Sequence, residues 1–348
     1  MHVSTHCNTA HADMTDIVIR KSGRAGHITL NRPKALNALT WEMCLAIEAA
    51  LDDWGADPDV AVVIIDSAED RAFCSGGDIA DMYASGLSGD LDYGRRFWRD
   101  EYRLNSKIAH YSQPIVTFLQ GFTMGGGVGV GCHASHRIVC ENSQVAMPEC
   151  TIGLVPDVGG TYLLAPAPGY VGTYLGSTGA RMSAGDAIYA GFADHYIPHA
   201  DWDTIKAQLI DTGDVMTLPQ HAPPIARLAE QRTEIDSLFS HDSLTDILAQ
   251  KLPDSIAKPL SRNSPLAMAC GLILINRARQ NGTMDAALEQ EYRFTHRAVA
   301  ESDFIEGIRA AIIDKDRAPR WQPLSSKATA KMVAPLGAEA LQISEDEL

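Results

Sequence analysis

The sequence lacks the features that mark several classes of protein. Its seven cysteines include no C-x-x-C pair, and no apolar run reaches the length of a membrane span. A formal net charge of −15 leaves little positive charge to bind a phosphate backbone or an anionic membrane surface. We therefore expect a protein of a reducing compartment that binds neither nucleic acid nor a membrane.

Residues 1–13 also lack the marks of a targeting segment. They have neither the apolar core of a signal peptide nor the arginine-rich amphipathic pattern of a transit peptide. Their spaced histidines are more typical of a disordered lead-in than of a metal site. We expect a cytoplasmic location, with Met1 or Met14 as the true start.

Beyond this segment, short β-rich runs alternate with helical patterns. Ile17–Ile19 and His27–Leu30 predict a hairpin, and Trp41–Trp54 carries apolar residues at helical spacing. The unbroken apolar run Val60–Ile65 is typical of a strand that is buried on both faces. Later patterns are mostly helical, which predicts three parts: a disordered lead-in at 1–13, an α/β core at 14–200 and a helical C-terminal region at 201–348.

Two glycine-rich turns follow predicted strands. Gly125–Gly127 comes after the apolar run Ile115–Leu119, and a second turn lies in Phe73–Asp78. Such turns can serve close packing alone. A strand-to-helix turn can also leave backbone N–H groups unpaired, and those groups can hold an oxyanion. The presence of two such turns favours the second interpretation.

Two acids lie among apolar residues shortly after Gly125–Gly127. Glu149 and Asp157 flank a segment that contains Leu154 and Val155, and a dry setting raises the pKa of a carboxyl group that has no partner. Donors for a negative oxygen together with nearby acids indicate acyl chemistry. Glu101 lies on a predicted amphipathic helix, where an acid is usually solvated.

Two rival interpretations of this stretch have less support. Gly129–Ala134 fits the dinucleotide pattern G-x-G-x-x-A, but the next predicted strand, Arg137–Cys140, follows too soon for a crossover helix. Cys150 is a candidate nucleophile, yet the sequence places no histidine to activate it.

Four ordered motifs make the chain resemble the enoyl-CoA hydratase/isomerase (crotonase) superfamily. They are Arg32–Leu39 (RPKALNAL), Phe73–Asp78 (FCSGGD), Met124–Gly127 (MGGG) and Pro148–Glu149. Three further stretches resemble its 3-hydroxyisobutyryl-CoA hydrolase branch, namely Glu101–Asn105 (EYRLN), Ala146–Gly160 (AMPECTIGLVPDVGG) and Phe304–Asp316 with Pro319–Trp321. The resemblance covers roughly residues 14–325.

The resemblance implies an α/β fold with a crotonase-like ββα spiral core and a helical C-terminal region, which in this family often mediates oligomers. It implies an acyl-CoA substrate and no metal or redox cofactor, since coenzyme A is part of the substrate. The implied site residues are two oxyanion-hole glycines, two residues near the CoA moiety and three acids: Gly77, Gly126, Ala35, Leu36, Glu101, Glu149 and Asp157. A homo-oligomer is a further expectation.

One departure from the family pattern separates its branches. Hydratases of this family carry a second catalytic glutamate two residues beyond the glycine triplet, where this chain has Gly129. Adding water across a double bond needs a positioned acid and base. We therefore expect hydrolysis of a small branched 3-hydroxyacyl-CoA, with 3-hydroxyisobutyryl-CoA of valine breakdown as the favoured substrate. Two alternatives are a lyase or isomerase that uses Glu149 alone and a silent acyl-CoA-binding protein.

Overall fold

The computed structural model of the protein describes residues 15–343, so the predicted lead-in at 1–13 and the candidate start Met14 lie outside the described residues. Nine strands of the described chain form two sheets. They are β1 (Ile17–Ser22), β2 (Ala25–Leu30), β3 (Val62–Ser67), β4 (Ala72–Cys74), β5 (Ile115–Phe118), β6 (Phe122–Met124), β7 (His136–Val139), β8 (Gln144–Ala146) and β9 (His195–Tyr196).

The helices surround these sheets and continue beyond them. They are α1 (Trp41–Gly55), α2 (Ala80–Ser88), α3 (Asp92–Ala109), α4 (Gly126–Gly131), α5 (Gly160–Leu164), α6 (Val171–Thr178), α7 (Ala184–Ala190), α8 (Trp202–Thr212), α9 (Arg227–Phe239), α10 (Leu244–Leu248), α11 (Asp254–Arg262), α12 (Pro265–Asn281), α13 (Met284–Glu301), α14 (Phe304–Ile308) with a following π-helical turn (Arg309–Ile313), and α15 (Ser326–Met332). In the described part of the chain, no helix is long and apolar enough to cross a membrane.

The strand order shows the predicted spiral. The larger sheet runs β1-β2-β3-β5-β7-β9 and the smaller one runs β4-β6-β8, so β3 to β8 alternate between the two sheets along the chain. The predicted hairpin is the antiparallel pair β1 and β2, and the other pairs within both sheets are parallel. The crotonase-like α/β fold expected from the sequence is confirmed.

Strand β3 is buried on both faces, as its apolar run predicts. Val63 and Ile65 pack in the main core, whereas Val62 and Ile64 pack in a second cluster with α8. The strand begins two residues later than the apolar run and extends to Ser67. Its register with β2 continues past the apolar run to Asp66, a buried acid that accepts a hydrogen bond from Thr29 and forms an ion pair with Lys206.

The smaller sheet fixes the position of the functional residues. Its three strands are parallel, so their carboxyl ends lie at one edge. Strand β4 leads into the turn at Gly77, β6 leads into the turn before α4, and β8 leads into the short 3₁₀ helix Glu149–Ile152. Both glycine turns and Glu149 therefore come together because of strand topology.

The helical C-terminal region packs against the core at specific capping contacts. Ser183 and Asp186 form a capping box at the start of α7. The Asp186 carboxylate also accepts a hydrogen bond from the backbone N–H of Leu228, at 2.8 Å, and so joins α7 to α9. One buried acid thus serves two helix starts.

We expect Asp186→Ala to lower the free energy of unfolding by about 2–4 kcal/mol, because buried N–H and O–H donors lose their acceptor. Asp246→Ala is the matched control, since Asp246 makes the same side-chain contact with Ser243 at the exposed start of α10. The control should cost about 1 kcal/mol or less. Urea unfolding measures both, and equal losses would contradict the linking role of Asp186.

Candidate active site

A cavity of about 370 Å³ lies at the edge where the three parallel strands end. Residues from both glycine turns, from α3 and from the segment after β8 line it. Six of the seven site residues predicted from the sequence are among them, namely Ala35, Gly77, Glu101, Gly126, Glu149 and Asp157. The fold thus brings these residues together around one space.

Leu36 is the predicted site residue that does not line this cavity. Its backbone is left-handed, with a φ of 51°, and its carbonyl accepts a hydrogen bond of 3.0 Å from the N–H of Ser75. Leu36 therefore holds the first glycine turn in place. A second cavity, of about 340 Å³, is lined by Ala35 and by the basic side chains of Arg32 and Lys34, so Ala35 belongs to both cavities.

The two predicted oxyanion donors face the same space. Neither the N–H of Gly77 nor that of Gly126 donates a hydrogen bond to another residue in the range 15–343. A Cβ atom at position 126 would lie 3.2 Å from the Gly77 nitrogen, which shows how closely the two turns approach. Gly126 begins α4, where a helix leaves N–H groups unpaired. Two convergent donors of this kind can bind a developing oxyanion.

Glu149 is a buried acid with unfilled hydrogen-bonding capacity. Its side chain is 5% exposed, and its Oε2 atom has no hydrogen-bond partner among the described residues. Burial raises the pKa of Glu149 well above its usual range, and the nearby charge of Asp157 raises it further. A Cβ at Gly125 would come within 2.8 Å of Glu149 Oε1, so glycine is required for this carboxyl group to lie against the turn.

Asp157 is held by a buried tyrosine. The Tyr102 hydroxyl donates a 2.7 Å hydrogen bond to Asp157 Oδ2. Burial raises the pKa of Asp157 to about 7, although this hydrogen bond opposes the shift. The carboxyl group is therefore poised to change its protonation state near neutral pH.

Glu101 is buried, contrary to the expectation of a solvated helix surface. It is 3% exposed, and its Oε1 atom has no hydrogen-bond partner in the described part of the chain. A Cβ atom added at position 126 would lie 2.8 Å from this Oε1 atom, so Glu101 lies against the second glycine turn. Burial raises the pKa of Glu101 well above its usual range, as does the charge of Asp157. The helical spacing could have predicted this burial, because Glu101 lies on the same face of α3 as the apolar residues Phe97 and Leu104.

The segment after Asp157 has a strained backbone. Val158 has a φ of 55°, which is rare for a β-branched residue and costs about 1–3 kcal/mol. The carboxylate of Glu291, on α13, accepts hydrogen bonds from the N–H groups of Gly159 and Thr161, at 2.7 and 2.9 Å. Burial raises the pKa of Glu291 to about 8, and these hydrogen bonds oppose the shift. The sequence patterns did not reveal Glu291, although it lies on the apolar face of α13, three residues after Leu288.

Gly129, the position of the second hydratase glutamate, is packed closely. A Cβ there would lie 2.7 Å from Asn105 Nδ2 and 2.9 Å from Val158 Cβ. Both neighbours are buried, so a larger side chain cannot fit unless they move. The packing around position 129 therefore accommodates glycine and excludes the glutamate of the hydratases unless these neighbours move.

Cys150 does not act as a nucleophile in this arrangement. Its thiol is fully buried outside the cavity lining and donates to the carbonyl of Gly176 at 3.3 Å. Burial raises the pKa of the Cys150 thiol well above its usual range, which keeps it protonated. Helix α4 has only six residues before β7 begins at His136, which agrees with the rejection of a dinucleotide-binding unit.

Between residues 15 and 343, no group of three or more histidine, cysteine, aspartate and glutamate side chains is arranged to hold a metal ion. The expectation that the reaction needs no metal or redox cofactor stays a prediction. The chemical groups present are two free N–H donors and buried carboxyl groups with raised pKa values.

Fold and site together define an enzyme that acts on acyl-CoA thioesters. The family model for enoyl-CoA hydratase/isomerase matches residues 25–335, and the chain belongs to that family. The 3-hydroxyisobutyryl-CoA hydrolase of Danio rerio mitochondria is 37% identical over 89% of this chain and 85% of its own length. A probable 3-hydroxyisobutyryl-CoA hydrolase of Arabidopsis thaliana is 34% identical over 90% of this chain and 88% of its own length.

Solved structures of the same family superpose on nearly the whole chain. An enoyl-CoA hydratase from Rhodobacter sphaeroides is 53% identical with a TM-score of 0.91, covering 94% of this chain and 100% of its own. A carnitinyl-CoA dehydratase from Mycobacterium thermoresistibile is 38% identical with a TM-score of 0.89, covering 95% of this chain and 99% of its own. The family resemblance stated from the motifs is thus confirmed.

We expect the effect of Glu101→Gln on stability to depend on pH. The folded protein keeps the Glu101 proton above the unfolded pKa of about 4.3, so the stability of the wild type falls as pH rises from that value towards the raised folded pKa. Glutamine cannot ionise, so the variant should gain stability relative to the wild type between about pH 5 and pH 8, by at most about 1.4 kcal/mol per pH unit.

Urea unfolding at both pH values measures this difference. Glu306→Gln is the control, because Glu306 pairs with Arg309 and its pKa is lowered, so the carboxylate is ionised throughout this range. Its stability difference from the wild type should therefore stay constant. A constant difference for Glu101→Gln as well would show that Glu101 ionises normally.

Proposed function

We propose that the protein hydrolyses the thioester of 3-hydroxyisobutyryl-CoA to 3-hydroxyisobutyrate and free coenzyme A, a step of valine breakdown. The observation that carries this proposal is the convergence of two unpaired N–H donors and three buried acids on one cavity. The curated relatives named as hydrolases of this substrate, which match about nine-tenths of the chain, support the same activity.

The oxyanion donors supply the main electrostatic contribution. The thioester oxygen accepts hydrogen bonds from the N–H groups of Gly77 and Gly126. Both hydrogen bonds strengthen as negative charge develops on that oxygen. Removing one donor from the oxyanion hole of a serine protease costs about 3–4 kcal/mol of transition-state stabilisation, and we expect a similar cost here. No side chain has to move, because the strand ends hold both turns.

Glu149 has two alternative roles in the chemical step. As a general base, its carboxylate takes a proton from water while the water oxygen bonds to the carbonyl carbon. The tetrahedral intermediate then expels the CoA thiolate, which is protonated. As a nucleophile, the carboxylate attacks the same carbon, releases the thiolate and forms an anhydride that water cleaves. Both routes need Glu149 ionised.

Asp157 and Glu101 complete the polar wall of the cavity. Each is buried, so each can bind a substrate hydroxyl or a water molecule without competition from bulk solvent. We propose that they orient the 3-hydroxyl group of the substrate and the attacking water. This recognition would favour hydroxyacyl over plain acyl chains, because a missing hydroxyl would leave buried polar groups unpaired.

Hydration of an enoyl-CoA is the second candidate, favoured by the similarity to the enoyl-CoA hydratase from Rhodobacter sphaeroides. The geometry at position 129 argues against it, because Gly129 supplies no second carboxylate and its surroundings leave no room for one. Thioester hydrolysis and proton transfer by Glu149 alone need no second carboxylate at this position, and hydrolysis is the reaction that we propose.

Two further expectations remain proposals. We propose a cytoplasmic location, whereas the animal relatives carry the word mitochondrial in their names. We also propose a homo-oligomer, which sedimentation velocity would test directly.

The decisive experiment compares two substrates. Release of free thiol from 3-hydroxyisobutyryl-CoA at a steady rate supports the hydrolase. Loss of the enoyl-thioester absorbance of methacrylyl-CoA without thiol release would instead establish a hydratase. Binding of both esters with neither reaction would establish a silent acyl-CoA-binding protein.

We expect Glu149→Gln to lower kcat by roughly 10²–10⁴-fold with little change in substrate affinity, because the amide keeps the volume but cannot take a proton or attack. Thiol release under saturating substrate measures kcat, and titration calorimetry with a non-hydrolysable thioether measures affinity. A variant that keeps more than about a tenth of the turnover would exclude both roles of Glu149.

We expect the rate of thiol release to rise with pH as Glu149 loses its proton. The charge of Asp157 raises the pKa of Glu149, so Asp157→Asn should move this rising limb to lower pH even where the maximal rate falls. The pH profile of kcat/KM measures the shift. Asp186→Asn, a change at a buried acid outside the cavity lining, is the control and should leave the limb in place.

We expect Gly77→Pro to abolish turnover, because proline removes one oxyanion donor. Gly77→Ala keeps the donor, and its Cβ would meet its nearest atom only at 4.0 Å, so it should retain much of the activity. Thiol release compares the two variants, and circular dichroism checks that both fold. A folded, fully active Gly77→Pro would place the oxyanion site elsewhere.

A further inference from the structure

We propose that Glu291 and His133 are positioning residues that hold Val158 in its left-handed conformation and thereby aim the Asp157 carboxylate into the cavity. The proposal rests on the proposed hydrolase function for its kinetic consequences. We name the segment Asp157–Thr161 the acid turn. Its side chains at Asp157 and Val158 line the cavity, whereas Glu291 and His133 do not.

The acid turn needs restraints from outside to keep its shape, because it contains an unfavourable backbone. Val158 and Gly159 are consecutive left-handed residues, with φ values of 55° and 75°. Glycine accepts this conformation, but a β-branched residue does so only where its surroundings over-determine it. The direction of the Asp157 side chain depends on this backbone, since the two residues are adjacent.

Glu291 supplies the first restraint. Its Oε2 atom accepts the N–H of Gly159, and its Oε1 atom accepts both the N–H and the hydroxyl of Thr161. The side chain is fully buried. A buried carboxyl group is costly unless its oxygens are satisfied, and here all three of these donors come from the acid turn. The carboxyl group therefore acts as a template for this backbone.

His133 supplies the second restraint, at the carbonyl of the peptide group whose N–H is bound by Glu291. Its Nε2 atom lies 2.8 Å from the carbonyl oxygen of Val158. A carbonyl oxygen can only accept, so Nε2 carries the hydrogen. Burial lowers the pKa of His133 to about 4, so the ring stays neutral near pH 7. His133 follows α4, which begins at the oxyanion donor Gly126, and it thus connects the acid turn to the oxyanion turn.

The side chain of Asp157 is restrained as well. Tyr102, on α3, donates to Asp157 Oδ2, and its hydroxyl lies 3.4 Å from Thr295 Oγ1 on α13. Thr295 follows Glu291 by one helical turn. Helix α13 therefore contacts both the backbone of the acid turn and the tyrosine that binds its carboxylate.

The first test is Glu291→Gln, which keeps the volume but turns one acceptor oxygen into an NH₂ group that faces a backbone or hydroxyl donor. We expect kcat for thiol release to fall by roughly 10–100-fold, with KM changed by less than about threefold, because Asp157, which orients the attacking water and one substrate hydroxyl, is misplaced while the rest of the binding surface remains. Asp186→Asn is the matched control, since Asp186 is a buried acid that accepts backbone N–H groups at another helix start. Its kcat should equal that of the wild type.

The second test is rescue by relief of the strain. Glycine at position 158 adopts a positive φ without cost. We therefore expect kcat of the double variant Val158→Gly, Glu291→Gln to be at least about threefold higher than kcat of Glu291→Gln alone. A role of Glu291 in core stability alone would give no rescue, because Val158→Gly only removes buried side-chain volume. Absence of rescue in a folded double variant would overturn the proposal.

Hydrogen exchange gives a readout that does not depend on activity. Peptides that cover the acid turn should exchange faster in Glu291→Gln than in the wild type, while peptides from β3 should be unchanged. If the wild type releases no thiol, the proposed function fails, and exchange at the acid turn still tests the restraint. Unchanged exchange there, or a fall in kcat that only matches a loss of folded protein, would overturn the positioning role.

Discussion

The burial of carboxyl groups is the constraint on which this site depends. Burial is the largest influence on the pKa of Glu101, Glu149, Asp157 and Glu291, and it raises the pKa of each. The surrounding structure has to offset the cost of removing these groups from water. Glu291 and Asp157 have hydrogen-bond donors, whereas Glu101 and Glu149 each keep, among the described residues, a free oxygen next to the cavity. The unsatisfied pair is therefore available to the substrate.

The two parts of the chain contribute differently to this arrangement. The spiral core supplies the oxyanion turns and Glu149, because three parallel strands end at one edge. The helical region supports the segment between Glu149 and Asp157. The N–H of Ser264 donates to the carbonyl of Cys150 at 2.9 Å, and Gly307 lies against the backbone of Ile152. Glu291 adds the restraint on the acid turn. The helices after β9 thus help to hold the segments that line the cavity.

Relatives of this chain carry names from different reactions, and the packing around Gly129 bears on which of these reactions this chain can support. Both hydration and thioester hydrolysis benefit from an oxyanion hole, so that feature does not discriminate. Position 129 differs in this respect, because Asn105 and Val158 fill the space that a second glutamate would need in this chain. Val158 follows Asp157 directly. The turn that places Asp157 at the cavity therefore also fills the space at position 129, where a second glutamate would lie.

The sequence by itself determined the local features: the β1–β2 hairpin, the helical spacing of α1, and the glycine turns with Glu149, whose motifs identified the family. These follow from short-range periodicity and backbone preference. Only the tertiary structure decided that Glu101 is buried and that Glu291 binds the acid turn. The donors to Glu291 lie 130 and 132 residues away, and local patterns carry no information about contacts across such distances. The identity of a residue fixes its chemistry, whereas its pKa and its role depend on which distant segments fold against it.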